Sequence, residues 1–314
     1  MTSPITGTAA GVPFTALPPS GDAARAPMIV TWHMLDAPRT DAAFAAALPM
    51  AGLPAWRVHL GMPMCGARMV DGSTDAIVAL FNKDPLMSFL YPFAQQATAE
   101  FPAALAALRE QLPVDDGPIG VLGGSLGGAV ALNVLTTTDI PVFAAAIVNG
   151  AIHLRSVVDL FPGKYPYDAE SEKAVDSMDF IAEAARLADR APLLVVSGEL
   201  DHPAFRADAA SLVAAIGPRA ELRHIPGLAH PLADEPGLAP APQSPKPARW
   251  TPPSPSGSPT SSRKPFSPSP PTLLSPNATR ERAEASPGKP HRPGMLSTRP
   301  VGRRADQDVC PPCL

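Results

Sequence analysis

One short stretch constrains this chain more than any other: Gly120-Val121-Leu122-Gly123-Gly124-Ser125-Leu126-Gly127-Gly128, which leads from an apolar, strand-like run into an alanine-rich, helix-like one. A serine with a glycine two residues away on either side has the spacing of a strained strand-to-helix elbow. Such an elbow holds the hydroxyl clear of the backbone, and a Cβ at either glycine would clash where strand and helix nearly touch. A serine becomes a useful nucleophile only when so exposed, near a base and near amide N–H groups that can receive an oxyanion. The flanks fit, with Pro118 to Leu122 apolar before the turn and Ala129 to Leu135 apolar after it. The competing reading is a glycine-rich turn without chemistry, or one that cradles phosphate. A phosphate loop also requires a Lys-Ser/Thr pair, which this stretch lacks.

The rest of the chain repeats the strand-then-helix rhythm. Pro27 to Trp32 reads as a buried strand, ending in the loop His33-Met34-Leu35-Asp36-Ala37-Pro38. If Ser125 is a nucleophile, a backbone N–H of this early loop supplies one oxyanion donor, and the N–H of Leu35 is the candidate. His33 itself reads as a histidine bonded to loop backbone. Thr40 or Asp41 caps a helix over 42–48, and Ala55 to Leu60 reads as a second strand, with Trp56, Val58 and Leu60 on one side and Arg57 and His59 on the other. A short helix is expected over 76–81 and a longer one over 92–112, kinked or restarted at Pro102. Further strands are expected at 141–148, 192–197 and 221–225. Strands alternating with helices imply a parallel sheet with right-handed crossovers. The segment 151–190 is longer than a plain crossover and reads as a lid insertion over the strand ends or as a pair of crossover helices.

Two further residues follow strands. Asp201 lies just past the strand 192–197, and His230 lies in the loop Pro226-Gly227-Leu228-Ala229-His230-Pro231-Leu232 after the strand 221–225. In open parallel sheets, ligands bind beyond the carboxyl ends of strands, so Ser125, Asp201 and His230 are expected to converge there. An imidazole can take the hydroxyl proton, and a carboxylate can fix its tautomer and stabilise the imidazolium. Glu199 and Asp234 compete for the acid's role, and His202, His224 and His153 are weaker rivals for the base.

Composition divides the chain. Residues 251–314 hold 15 of the 42 prolines, nine basic and four acidic residues, which leaves 16 basic and 25 acidic residues upstream. The acidic body argues against a nucleic-acid surface. Residues 1–26 read as a leader, without the basic start and apolar core of a secretory signal, and no apolar run reaches membrane-spanning length, so a cytoplasmic protein without membrane contact is expected. Cys65 reads as a buried apolar side chain, and Cys310-Pro311-Pro312-Cys313 lacks the context of a redox or metal motif. Residues 241–314 are too rich in proline and too poor in apolar surface for a packed element and read as disordered. The change is abrupt near Lys246 to Trp250, where a closing helix is due. A shift of coding frame would produce it; an interaction tail with Pro-x-x-Pro spacing, as at Pro242 to Pro245, is the alternative.

The motifs Gly-Gly-Ser-Leu-Gly at 123–127, Gly-Glu-Leu-Asp at 198–201 and Gly-Leu-Ala-His at 227–230, with the strand-end His33, resemble the α/β-hydrolase superfamily, in the branch that includes prolyl-oligopeptidase-like and small esterase domains. The resemblance covers residues 27–240. It implies an α/β fold, a mostly parallel sheet flanked by helices, with Ser125 as nucleophile, Asp201 as acid, His230 as base, and Leu35 and Leu126 as oxyanion amides. It implies a serine hydrolase acting on a small acyl substrate (an ester, thioester or short peptide) without cofactor or metal. A catalytically silent scaffold that binds a ligand or partner, and an acyltransferase using the same residues, are the alternatives. One departure stands out: His33 is followed by Met34 where members of the superfamily usually have glycine.

Overall fold

The computed structural model describes residues 3–21 and 24–241; the expected tail beyond residue 241 lies outside them, with Cys310 and Cys313. Eight strands are present: β1 (Ile5–Ala9), β2 (Val12–Leu17), β3 (Met28–Trp32), β4 (Trp56–Leu60), β5 (Ile119–Gly124), β6 (Val142–Val148), β7 (Leu193–Gly198) and β8 (Ala220–Ile225). They form one sheet in the order β1-β2-β4-β3-β5-β6-β7-β8. The strands from β4 to β8 in that order are parallel, while β2 pairs antiparallel with β4 and β1 antiparallel with β2. The sequence reading starts the domain at Pro27, yet residues 5–17 already form a hairpin on the sheet. The turn Ala10-Gly11 has positive φ at both residues, 46° and 87°, which suits a two-residue hairpin loop. Four of the five residues of β1 are exposed, so its sequence lacks the apolar run that marks an inner strand.

The inner strands alternate in which core they feed. Val121, Ile147 and Val195 join one cluster with the helices α3 (Tyr91–Gln111), α4 (Leu126–Thr137), α7 (Ala184–Arg190) and α8 (Pro203–Ile216). Their neighbours Leu122, Val148 and Val196 join a second cluster with Phe44 of α1 (Asp41–Ala47), Met34 and Leu228. This is the two-residue period of a pleated strand buried on both faces. α4 is buried along 11 of its 12 residues because it lies between the sheet and α3 and α7. Trp32 anchors that side, its ring edge-on to Phe101 of α3 at 4.9 Å.

Three local features extend the sequence reading or depart from it. β4 keeps the expected alternation, with Trp56, Val58 and Leu60 in the main core, but the other side is buried too: Arg57 donates to the carbonyls of Leu53 and Ala55, and His59 Nδ1 pairs with Thr31 Oγ1 at 2.8 Å. α3 runs unbroken through Pro102, which lies on its exposed face, where water can satisfy the carbonyl deprived of a donor. Between α2 (Asp75–Lys83) and α3, a π-helical turn spans Pro85–Leu90, opened by the Asp84 carboxylate accepting from the N–H groups of Leu86 and Met87. The segment 151–190 forms α5 (Leu154–Val158), α6 (Ala169–Asp176) and α7, and buries Ile152, Leu154, Val157, Val175, Met178 and Phe180 in the main core. It is also tied to the α2 region, with Phe161 edge-on to Phe81 at 4.8 Å and the Tyr165 hydroxyl donating to Asp84.

Candidate active site

Ser125 stands between β5 and α4 with φ 47° and ψ −122°, a conformation that L-residues avoid and that marks stored backbone strain. Its N–H donates to Val148 O of the neighbouring strand at 3.1 Å, and its carbonyl accepts from Gly128 N and Ala151 N, both at 2.9 Å. The two flanking glycines are obligatory for the reason the sequence suggests. A Cβ on Gly123 would stand 1.9 Å from Gly127 O, and one on Gly127 would stand 2.3 Å from Trp32 O. Both obstacles are backbone, so neither can move aside.

His230 Nε2 lies 2.9 Å from Ser125 Oγ, and its Nδ1 lies 2.8 Å from Asp201 Oδ1. An ionised Asp201 fixes the proton on Nδ1, which leaves Nε2 for the serine. All three side chains are buried: Ser125 is 2% exposed, Asp201 4% and His230 6%. The Asp201 carboxylate is steadied by the N–H of His202 at 2.7 Å, and the imidazole packs edge-on against Phe205 of α8 at 4.7 Å. Three residues far apart in sequence thus meet at the carboxyl ends of β5, β7 and β8, and the arrangement can pass a proton from a hydroxyl to an imidazole held by a carboxylate.

The rival residues have other partners. Glu199 accepts from Gly227 N at 2.7 Å and so braces the loop that presents His230. His202 caps α8 through Nδ1, His153 Nδ1 faces Ser156 Oγ at 3.4 Å, and His224 is exposed on β8. His33 is fully buried and structural: its Nδ1 pairs with Met34 O at 2.6 Å, and its Nε2 accepts from Met62 N at 3.0 Å. Burial, only partly offset by the Met34 carbonyl, lowers its pKa to about 4, so it stays neutral. Burial pushes the Cys65 thiol up to about 12, which removes it as a nucleophile at neutral pH. Among the described residues no cluster of His, Cys, Asp and Glu has the makings of a metal site, and no helix is long and apolar enough to cross a membrane.

Two residues at the site were not singled out from sequence. Asn149, at the end of β6, donates through Nδ2 to the carbonyls of Ala229 and His230 and accepts at Oδ1 from Gly198 N. Asp36, in the loop after β3, places Oδ2 3.3 Å from His230 Nε2. An asparagine before a glycine reads as a turn, and a lone loop aspartate carries no motif. Only the tertiary approach of loops distant in sequence reveals either role.

A mostly parallel sheet wrapped by helices, with a strained serine at the turn after a central strand and a histidine and an aspartate beyond later strands, is the α/β-hydrolase fold. The chain is an α/β-hydrolase-fold protein, and its residues 93–231 match the model of the prolyl oligopeptidase family. That match takes in Ser125, Asp201 and His230 and leaves out the loop after β3. Among solved structures, the chain is similar to TT1662 from Thermus thermophilus, at 18% identity and TM-score 0.51, over 73% of this chain and 91% of that one. It is also similar to a puromycin-hydrolyzing peptidase of Mycobacterium tuberculosis, at 18% identity and TM-score 0.53, over 72% of this chain and 36% of that one. An acylaminoacyl peptidase of Pyrococcus horikoshii gives 15% identity and TM-score 0.50, over 73% of this chain and 37% of that one. The chain thus spans a little over a third of the length of these two peptidases. No curated protein matches the sequence.

Proposed function

We propose that this protein is a serine hydrolase that cleaves a carboxylic ester, thioester or short peptide through an acyl-enzyme intermediate. The observation that carries this reading is the unbroken line from Ser125 Oγ through His230 to Asp201, at 2.9 and 2.8 Å, on a strained elbow. In this mechanism His230 takes the Ser125 proton as Oγ bonds to the acyl carbon and returns it to the leaving group. Water, activated by the same imidazole, then frees the acid. Asp201 holds the tautomer and stabilises the imidazolium. The amides of Leu35 and Leu126 receive the oxyanion; neither N–H is taken by another described residue, which supports the assignment. The segment that follows β6 is tied to the elbow where Ala151 N bonds to Ser125 O, which makes it a candidate to shape the pocket. None of these steps calls for a metal or an organic cofactor.

The test is a fluorophosphonate probe together with p-nitrophenyl acyl esters of increasing chain length, applied to the wild type and to Ser125→Ala. Labelling and hydrolysis by the wild type alone are the expected result. Folded wild-type protein that neither labels nor hydrolyses would favour a ligand-binding scaffold.

A further inference from the structure

His230 has a second carboxylate, on the side where only a hydroxyl is needed. Its Nε2 faces Ser125 Oγ at 2.9 Å and Asp36 Oδ2 at 3.3 Å, and the Asp36 side chain is only 4% exposed. The Asp36 contact has ion-pair distance without hydrogen-bond geometry, and Oδ2 has no hydrogen-bond partner among the described residues. A buried, unpartnered carboxylate oxygen is costly, so its placement needs a cause.

The cause of its position is a clasp between two loops. Ala37 O accepts from Leu232 N at 2.9 Å and from Ala233 N at 3.3 Å; Arg39 N donates to Gly237 O at 2.8 Å, and Thr40 Oγ1 to Leu238 O at 3.1 Å. The Arg39 guanidinium grips Glu235 through Nε and Nη2 at 3.2 and 2.8 Å. The backbone on the C-terminal side of Asp36 is therefore fastened to the loop that carries His230, and the carboxylate is fixed beside the imidazole.

Proton placement follows from charge. A neutral imidazole accepts the serine proton with the Nε2 lone pair, and that lone pair would then also face the Asp36 oxygen. An ionised Asp36 repels it and attracts a proton there instead. With that proton in place, Nε2–H points at Ser125 Oγ as a donor, and the imidazole's capacity as a base is already used.

We propose that Asp36 is a positioning residue which, acting through His230, keeps the imidazole protonated in the free protein, so that Ser125 becomes a nucleophile only after Nε2 has lost a proton to solvent. This rests on the serine-hydrolase reading and adds to it the control of the base. The titratable groups facing His230 are Asp201 from the turn after β7 and Asp36 from the loop after β3; α8 contributes the Phe205 ring and β5 leads to Ser125. Burial pushes the imidazole down, yet the hydrogen bond to Asp201 and the close carboxylates of Asp201 and Asp36 outweigh it and raise its pKa to about 9.

The experiment compares wild type with Asp36→Asn, which keeps the shape and removes the charge. The first readout is the NMR titration of the His230 ring, which needs no activity. The second is the rate of fluorophosphonate labelling against pH. The expected result is a wild-type midpoint near the raised value, a midpoint at least tenfold lower in proton affinity in the variant, and the acid limb of labelling moving with it. Equal midpoints in the two proteins, or a wild-type midpoint below 7, would overturn the proposal; the second outcome decides it even where the variant does not fold. A shifted midpoint with no labelling of either protein at any pH would leave the Asp36 effect standing and remove the hydrolase reading.

Discussion

Asn149 holds His230 by its main chain: Nδ2 donates to His230 O at 3.0 Å and to Ala229 O at 2.8 Å, while Oδ1 accepts from Gly198 N at 2.8 Å. One buried amide thereby joins the end of β6, the end of β7 that leads to Asp201, and the loop that presents the imidazole. Its φ of 46° is one that asparagine tolerates better than most residues. Asn149→Ala leaves two carbonyls and one N–H unpaired, at a cost of about 2–3 kcal/mol. Because the imidazole is then free to drift from Ser125, kcat is expected to fall at least tenfold with KM little changed. Urea denaturation and steady-state kinetics measure both, and a wild-type kcat would show that the loop holds itself. Asn149→Asp should be at least as harmful, since a carboxylate there would face two carbonyl oxygens.

The strain at Ser125 separates stability from activity. Glycine accepts a φ of 47° and ψ of −122° without the steric cost that alanine bears. Both Ser125→Ala and Ser125→Gly should lose activity by ~10³-fold or more, because the hydroxyl is gone. The glycine variant should nevertheless be the more stable of the two by about 1–2 kcal/mol, the range of a strained backbone site. Equal unfolding free energies for the two variants would mean that the elbow is not strained in solution.

The elbow was legible because its constraints are local. Gly123 and Gly127 must lack side chains for a reason set by backbone contact, so the pattern is written in five consecutive residues. Asp201 and His230 were legible one step further on, since each follows an apolar run at a strand's carboxyl end, and the sheet order brings those ends together. The β1–β2 hairpin was not legible, because an exposed edge strand such as Ile5–Ala9 carries no apolar alternation. Pro102 misled for a related reason: a proline breaks a helix where its lost hydrogen bond is buried, and here that face meets solvent. Asp36 and Asn149 act only across loops distant in sequence, a relationship that neither composition nor spacing encodes.

Stability should depend on the charge of His230. The imidazole's value of about 9 in the folded protein lies above its ordinary 6.5, with burial opposing and the two carboxylates raising it. The folded state therefore binds a proton that the unfolded chain gives up as pH rises past 6.5. The associated stability is complete below that pH and is lost as pH climbs through about 9. Scanning calorimetry should show Tm falling between pH 7 and pH 9.5 in the wild type, and falling less in His230→Gln. A parallel decline in both proteins would assign the effect to other groups.

The Arg39–Glu235 pair tests whether the clasp serves the site more than the fold. Its side chains are 26% and 39% exposed, so solvent screens the ion pair, and breaking it should cost no more than about 1 kcal/mol. Glu235 also accepts from Ala37 N at 3.4 Å, which places it on the loop that carries Leu35 and Asp36. Glu235→Gln weakens the grip of the guanidinium while retaining an acceptor for Ala37, so the loop should loosen without unfolding. The expected outcome is a Tm within about 3 °C of wild type together with a three- to tenfold fall in kcat, because donors aimed at a developing oxyanion lose their effect when displaced by fractions of an ångström. Arg39→Ala should match it in kcat, and the double variant should be no worse than either single one if the two side chains act as a unit. Additive losses in the double variant would mean that Arg39 and Glu235 support the site by separate routes.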